Sequence, residues 1–201
     1  GTASCTNCPA GRYSTTEGAS SEQTCLECPA GNYSATPGAP SESVCVRCAA
    51  GKYSSVPGTA SCTNCPAGRY STDVGASSEQ TCLQCPQGKY TSENGTVSCS
   101  GCVEGKFSTT VGASSQNVCI KCPRGKYADK TGTVTCTLCA AGKYSEAEGA
   151  KQETVCTVCG AGRYQPTKGA NASSDCLACP TGKYFVGSGA AECISCVAGK
   201  Y

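Results

Sequence analysis

The 201-residue chain has no histidine, no methionine and no tryptophan. Without histidine it lacks the usual general acid–base, the imidazole metal ligand and the Ser–His and Cys–His nucleophile pairs. Leu, Ile, Val and Phe together number only 21. That is too few for the continuous apolar core that a globular domain of this length buries. No apolar run approaches the ~20 residues that cross a bilayer, and the polar sequence after Gly1 contains no legible signal peptide. Charge is scarce too. Sixteen Lys and Arg against fourteen Asp and Glu leave a formal net charge of +2. That balance gives no reason to expect a nucleic-acid partner and does not fit a highly charged disordered chain.

Cysteine is what the chain has in excess. There are 22 cysteines, a content at which covalent staples supply the order that a core would otherwise supply. They form eleven C-x-x-C pairs whose first members are Cys5, Cys25, Cys45, Cys62, Cys82, Cys99, Cys119, Cys136, Cys156, Cys176 and Cys193. Successive pairs are 20 or 17 residues apart, and no other spacing occurs. Self-similarity at a fixed period is the mark of a repeat architecture. Each repeat reads C-x-x-C-[P/A/V/G]-x-G-[K/R]-[Y/F], then a polar stretch, a second glycine and a return to cysteine. The aromatic slot holds all ten tyrosines and Phe107. The two lengths differ only after the second glycine, as Gly18 to Cys25 and Gly58 to Cys62 illustrate. Residues 1–33 nearly duplicate 58–90, so blocks of repeats were copied as well as single ones. The chain starts and stops out of phase with its own repeat, and the expectation is a fragment of a longer array.

Turn chemistry sets the fold class. The first glycine permits a turn into a short extended segment, and the second reads as the corner of a hairpin-like loop. No segment has the length or period of a helix. The expectation over 1–201 is an elongated, solenoid-like rod of short β-hairpin and loop modules with no helices and no single hydrophobic core. In such an array each module touches mainly its neighbours. The aromatic is expected to pack on the disulfides and glycines of its own or the next module.

Two chemistries compete for the cysteines. C-x2-C-x16-C-x2-C also fits a zinc ribbon. Against zinc stand the ungrouped mixture of two gap lengths, the odd number of pairs and three N-glycosylation sequons, at Asn32, Asn94 and Asn171. The sequons fit an oxidising, secreted environment. A disulfide inside each C-x-x-C is a third option, but redox enzymes carry one such site in a globular fold rather than eleven. Spacing alone does not determine connectivity. A periodic array favours a periodic solution, and the simplest joins the second Cys of one repeat to the first of the next. It pairs Cys8–Cys25, Cys28–Cys45, Cys48–Cys62, Cys65–Cys82, Cys85–Cys99, Cys102–Cys119, Cys122–Cys136, Cys139–Cys156, Cys159–Cys176 and Cys179–Cys193. Cys5 and Cys196 are then left to pair with repeats outside the chain.

The run C-P-x-G-x-Y-S followed by G-A-x-S and Cys resembles the ephrin-receptor-like cysteine-rich repeat, over the whole chain. Cys8-Pro9-Ala10-Gly11-Arg12-Tyr13 and Cys85-Pro86-Gln87-Gly88-Lys89-Tyr90 also resemble the first disulfide loop of tumour-necrosis-factor-receptor modules. In those modules the Cys before Pro pairs with the Cys closing the loop, which implies the same bridges here. Ala49, Val103, Ala140, Gly160 and Val197 depart from the Pro. No ephrin-binding or kinase region is present, so no signalling role carries over.

Ten of the sixteen bases directly precede the aromatic, and the exception is Asn32. This is a solvated strand position or a basic stripe facing acidic glycans. No paired-carboxylate or calcium-loop pattern occurs. The expectation is therefore a non-enzymatic extracellular protein with no cofactor, no metal and no catalytic residue. It would be a spacer or filament subunit of a cell-surface or flagellar-hair-like fibre. The expected partners are N-glycans and other copies or subunits of the fibre. A ligand-binding stalk of a receptor or adhesin is the alternative.

Overall fold

The computed structural model describes residues 5–19 and 21–200; Tyr201, in the last aromatic slot, lies outside them. The chain divides into two compact units, one of Gly1–Pro86, Tyr90–Cys99 and Gly112–Gln116, the other of Gln87–Lys89, Ser100–Val111 and Asn117–Tyr201. The same module builds both.

In the first unit a module begins with a four-residue turn. The Arg12 N–H donates to the Pro9 carbonyl at 3.1 Å, and Gly11 takes φ +87° at the third position. A type II turn needs a positive φ there, which only glycine adopts without strain. The first turn residue contributes only its carbonyl, which explains why Pro is dispensable: Ala49, Val103, Ala140 and Gly160 each accept the equivalent bond at 3.1 Å. The turn leads into a two-residue strand, Arg12–Tyr13, which pairs antiparallel with Leu26–Glu27 between the next two cysteines. The described residues contain ten such two-stranded hairpins and no α-helix. The structure is thus a tandem series of small, disulfide-rich hairpin modules.

Each hairpin is closed by a disulfide. In the first unit Cys8 is bonded to Cys25, Cys28 to Cys45, Cys48 to Cys62, Cys65 to Cys82 and Cys85 to Cys99. In the second Cys102 is bonded to Cys119, Cys122 to Cys136, Cys139 to Cys156, Cys159 to Cys176 and Cys179 to Cys193. Cys5 and Cys196 take part in no disulfide among the described residues. Closing a loop of this size stabilises a fold by about 3 kcal/mol in the chain-entropy model.

Three backbone hydrogen bonds recur where one module meets the next. In the first unit Gly11 N–H donates to Ser34 O (2.7 Å), Ser14 N–H to Ala39 O (3.0 Å) and Gly38 N–H to Cys8 O (2.8 Å). In the second, Gly125 N–H donates to Ser145 O (2.8 Å), Ala128 N–H to Ala150 O (3.0 Å) and Gly149 N–H to Cys122 O (2.7 Å). Pairing along the chain is therefore continuous through each unit, although no strand exceeds two residues.

Beyond the nearest-neighbour contacts expected from the sequence, the modules also touch at second neighbours. The turn glycine of one repeat rests against the second glycine two repeats on. A Cβ on Gly11 would overlap the Gly58 carbonyl oxygen and lie 2.9 Å from the Thr59 carbonyl carbon. In the second unit a Cβ on Gly105 would overlap Gly149 O and lie 2.9 Å from its carbonyl carbon. Only a residue without a side chain allows this approach.

The core also differs from the one expected. Eight of the nine described tyrosines are half-buried, and the ninth, Tyr184, is 47% exposed. The buried positions are cysteines, above all the second of each pair, such as Cys28, Cys65 and Cys122, together with two small-residue slots. One slot is the alanine after the second glycine (Ala39, Ala76, Ala113, Ala150, Ala170, Ala190). The other is the hydroxyl residue after the aromatic, such as Ser34, Ser71 and Ser108. These buried hydroxyls bond the chain two residues on: Ser71 Oγ accepts the Asp73 N–H and Ser108 Oγ the Thr110 N–H, both at 3.2 Å. No buried side-chain N or O among the described residues lacks a partner, as low-dielectric burial demands.

The long repeats owe their three extra residues to a single 3-10 turn before the closing cysteine. Six are present among the described residues, Glu22–Thr24, Glu42–Val44, Glu79–Thr81, Gln116–Val118, Glu153–Val155 and Ser173–Asp175. Ser21 and Ser78 cap two of them, each accepting an N–H two residues on at 3.2 Å. Three residues per turn is the 3-10 repeat, so the insertion adds one turn and returns the chain to the same bridge. Cα separations across the disulfides are correspondingly alike, 5.5 Å in the long Cys65–Cys82 loop and 5.8 Å in the short Cys85–Cys99 loop.

Candidate functional site

With the cystines, alanines and hydroxyls turned inward, the hairpins present their two cross-strand pairs outward. In one pair the aromatic faces the residue that follows the next first-cysteine: Tyr13 faces Leu26, Tyr33 faces Val46 and Tyr70 faces Leu83. In the second unit Phe107 faces Ile120, Tyr164 faces Leu177 and Tyr184 faces Ile194. These aliphatics stay exposed, Leu83 by 55% and Ile120 by 60%. An aromatic beside a β-branched or branched aliphatic is a favourable cross-strand pair, and it leaves an apolar spot on the hairpin surface. Other repeats place Thr there, as in Tyr53–Thr63 and Tyr127–Thr137.

The basic slot lies beside that spot, and its members have different partners. Arg12 Nη2 pairs with Glu27 Oε1 at 2.6 Å, and Lys143 Nζ with Glu153 Oε1 at 3.0 Å. Arg69 and Arg163 instead donate to the carbonyls of Cys82 (2.9 Å) and Cys176 (2.7 Å). Exposed pairs of this kind contribute little stability. Asn32, the exception, is half-buried, and its Nδ2 donates to Pro29 O at 3.3 Å.

The other two sequon asparagines are exposed. Asn94 Oδ1 accepts the Ala67 N–H at 2.9 Å, and the Asn171 N–H donates to Asp175 Oδ2 at 2.8 Å. The sequon hydroxyls differ more: Ser34 is 2% exposed, whereas Thr96 Oγ1 donates to Arg69 O at 3.3 Å. Within the Asn171 sequon, the Ser173 N–H donates to Glu146 Oε1 at 3.0 Å. That backbone bond, joined by the Ser173 side chain and the nearby Arg124 charge, holds the Glu146 carboxyl below its ordinary pKa. A shallow cleft of about 420 Å³ lies close by, lined by Tyr144, Val158, Gly160, Arg163, Ser173, Ser174 and Cys176. Among the described residues no group of three or more Cys, Asp or Glu is placed to hold a metal ion.

Sequence reasoning placed the aromatic and the base but missed three positions: the exposed aliphatic after the first cysteine, the buried alanine and the buried hydroxyl. The aliphatic carried a readable signal, since it recurs directly after Cys25, Cys45, Cys82, Cys119, Cys176 and Cys193. Ala and Ser carry almost no hydropathy signal, so their burial is invisible without coordinates.

The module is a two-stranded hairpin closed by a bridge between successive C-x-x-C pairs, with a glycine turn before the aromatic. A family model described as tyrosine-protein kinase ephrin type A/B receptor-like matches four successive stretches, residues 1–45, 41–82, 77–119 and 114–156. The chain belongs to this ephrin-receptor-like family. Each match closes on a first cysteine of the repeat, at Cys45, Cys82, Cys119 or Cys156. No curated protein matches the chain. The family and the ten disulfides point to an extracellular, receptor-like stalk, and cysteine-rich repeats of this family are non-catalytic in general. No helix among the described residues is long and apolar enough to cross a membrane.

Proposed function

We propose that these ephrin-receptor-like repeats form a structural spacer, as a rod or filament subunit of a cell-surface or flagellar-hair-like fibre. The carrying observation is the recurrence of the same backbone hydrogen bonds at successive module junctions within each unit. A chain paired this way resists bending at its junctions, and its stability is a sum over modules and interfaces, so length can change without loss of folding. Under this reading other copies or subunits of the fibre are the partners. N-glycans on Asn32, Asn94 and Asn171 dress the surface, and no catalytic residue, metal or cofactor takes part. Electron microscopy of the native particle tests it. Ordered fibres with a regular lateral repeat support the spacer or filament. Single flexible stalks that end in another domain overturn it.

The second reading is a ligand-binding stalk of a receptor or adhesin. It is favoured by the exposed Tyr–aliphatic pairs and by the cleft at Gly160, where seven residues of the eighth to tenth repeats converge. Cross-linking to a distinct soluble ligand, lost on Tyr144→Ala, supports that reading over the first.

A further inference from the structure

We propose that Lys106, Lys121 and Lys151 form a binding site for sulfated polysaccharide. Two of the three lysines break a pattern, Lys121 by standing opposite an occupied basic slot at Lys106 and Lys151 by its place after a second glycine. Opposite the basic slot, the other hairpins carry an acid, an amide, a small residue or an aliphatic, as in Arg12–Glu27, Arg69–Gln84, Lys143–Val158 and Lys183–Ser195. Where the opposite residue is basic, at Arg47, the slot itself is Asn32. Lys106 and Lys121 are the one described register that sets base opposite base. Lys151 sits two residues after a second glycine, a position that is uncharged in every other repeat, as at Ser77, Ala60 and Asn171.

The fold brings the three together. Gly105 and Gly149 are one of the close glycine contacts between a repeat and the second one after it. The Lys151 Cγ lies 3.2 Å from where a Cβ on Gly105 would sit, and Lys106 is the next residue in the chain. The Lys121 stem passes over the other glycine, its Cγ 3.4 Å from a Cβ on Gly149. Lysines from three repeats thus gather at one backbone contact, Lys151 and Lys121 by their stems and Lys106 as the neighbour of Gly105 and the register partner of Lys121. The neighbouring carboxylates, Glu104 and Glu148, form no ion pair with them; the described ion pairs are Arg12–Glu27 and Lys143–Glu153.

Like charges placed directly opposite on a hairpin are destabilising. In an array otherwise close to neutral, such a violation of a local rule marks a functional site. Three ammoniums suit a ligand that brings several permanently ionised oxygens at once. Sulfate esters on a polysaccharide stay ionised at all extracellular pH values, and a neutral glycan gains nothing there.

The test is binding of a heparin fragment to the whole chain at physiological salt. Wild type is expected to bind, with affinity falling as salt rises. The triple variant Lys106→Gln, Lys121→Gln, Lys151→Gln is expected to lose about tenfold or more, through the lost counterion release. The charge-matched variant Lys52→Gln, Lys130→Gln, Lys183→Gln is expected to stay within about twofold. The proposal is overturned if wild type does not bind, if both variants lose equally, or if unsulfated hyaluronan binds as tightly as heparin.

Discussion

The backbone of Gly68 lies against that of Gly112, so that a Cβ on Gly68 would overlap the Gly112 oxygen and stand 3.1 Å from its carbonyl carbon. Gly68 also has φ +82°. Gly68→Ala therefore meets a clash as well as a left-handed backbone, which alone costs roughly 1–2 kcal/mol. We expect a loss of at least about 2 kcal/mol, read as a lower urea midpoint. Gly160→Ala is the control, since a Cβ there meets nothing within 4 Å. It is expected to change stability by less than about 0.5 kcal/mol.

Ala113 is 3% exposed, whereas Leu83 is 55% exposed. Ala113→Leu should cost about 1–3 kcal/mol by overpacking, while Leu83→Ser should cost under about 1 kcal/mol, the worth of its cross-strand pair with Tyr70. Thermal denaturation of the two variants ranks them. Greater damage from the leucine change would mean that the aliphatic and not the alanine holds the module.

Deleting Glu79–Thr81 removes one 3-10 turn and converts a long repeat into a short one. The Cys65–Cys82 bridge should still form, because shortening a loop by three residues changes its closure entropy by only a few tenths of a kcal/mol. Peptide mapping without reduction finds that bridge in the deletion variant. Its absence would show that the turn guides pairing.

Replacing both Cys65 and Cys82 by Ser should cost about 3 kcal/mol in the chain-entropy model. Hydrogen exchange should rise first at the Gly51 and Gly68 N–H groups, which bond to Ser71 and Thr91. A rise spread evenly over the first unit would contradict modular stability.

Glu146 should titrate below the ordinary glutamate value of about 4.3, because the Ser173 N–H prefers its charged form. A depressed folded-state pKa gives stability that is present above the unfolded value and lost as pH falls through the folded one. Loosening of the Ser173 bond is thus expected only at acid pH, as the pH falls through a midpoint lower than that of an ordinary glutamate. NMR titration of the Glu146 carboxyl checks the midpoint, and Glu146→Gln should remove this pH dependence.

Some of this protein could be read residue by residue. Gly11, six residues after Cys5, recurs with all eleven pairs, and Gly18, thirteen residues after Cys5, recurs with the first ten; both mark turns. Glycine tolerates positive φ, so the turns follow from local chemistry. The lack of helix follows from the absence of any helical period. The basic slot beside Tyr13 was equally visible, but its roles were not. Arg12 finds Glu27 across the hairpin while Arg69 finds a cysteine carbonyl, a difference made by the residue opposite, which depends on register.

The sequence by itself determined the module: its two lengths, its glycine turns, its short extended segments and its reliance on cysteine in place of a core. Those features are local, and each repeat carries them in full. Tertiary structure alone decided which small residues are buried, which charges meet and how far contact extends along the chain. Ala113 and Ser108 are buried because flanking modules close over them, and the stems of Lys121 and Lys151 flank one contact only because Gly105 and Gly149 touch. Such relations depend on backbones one or two repeats apart, where hydropathy and spacing have no reach.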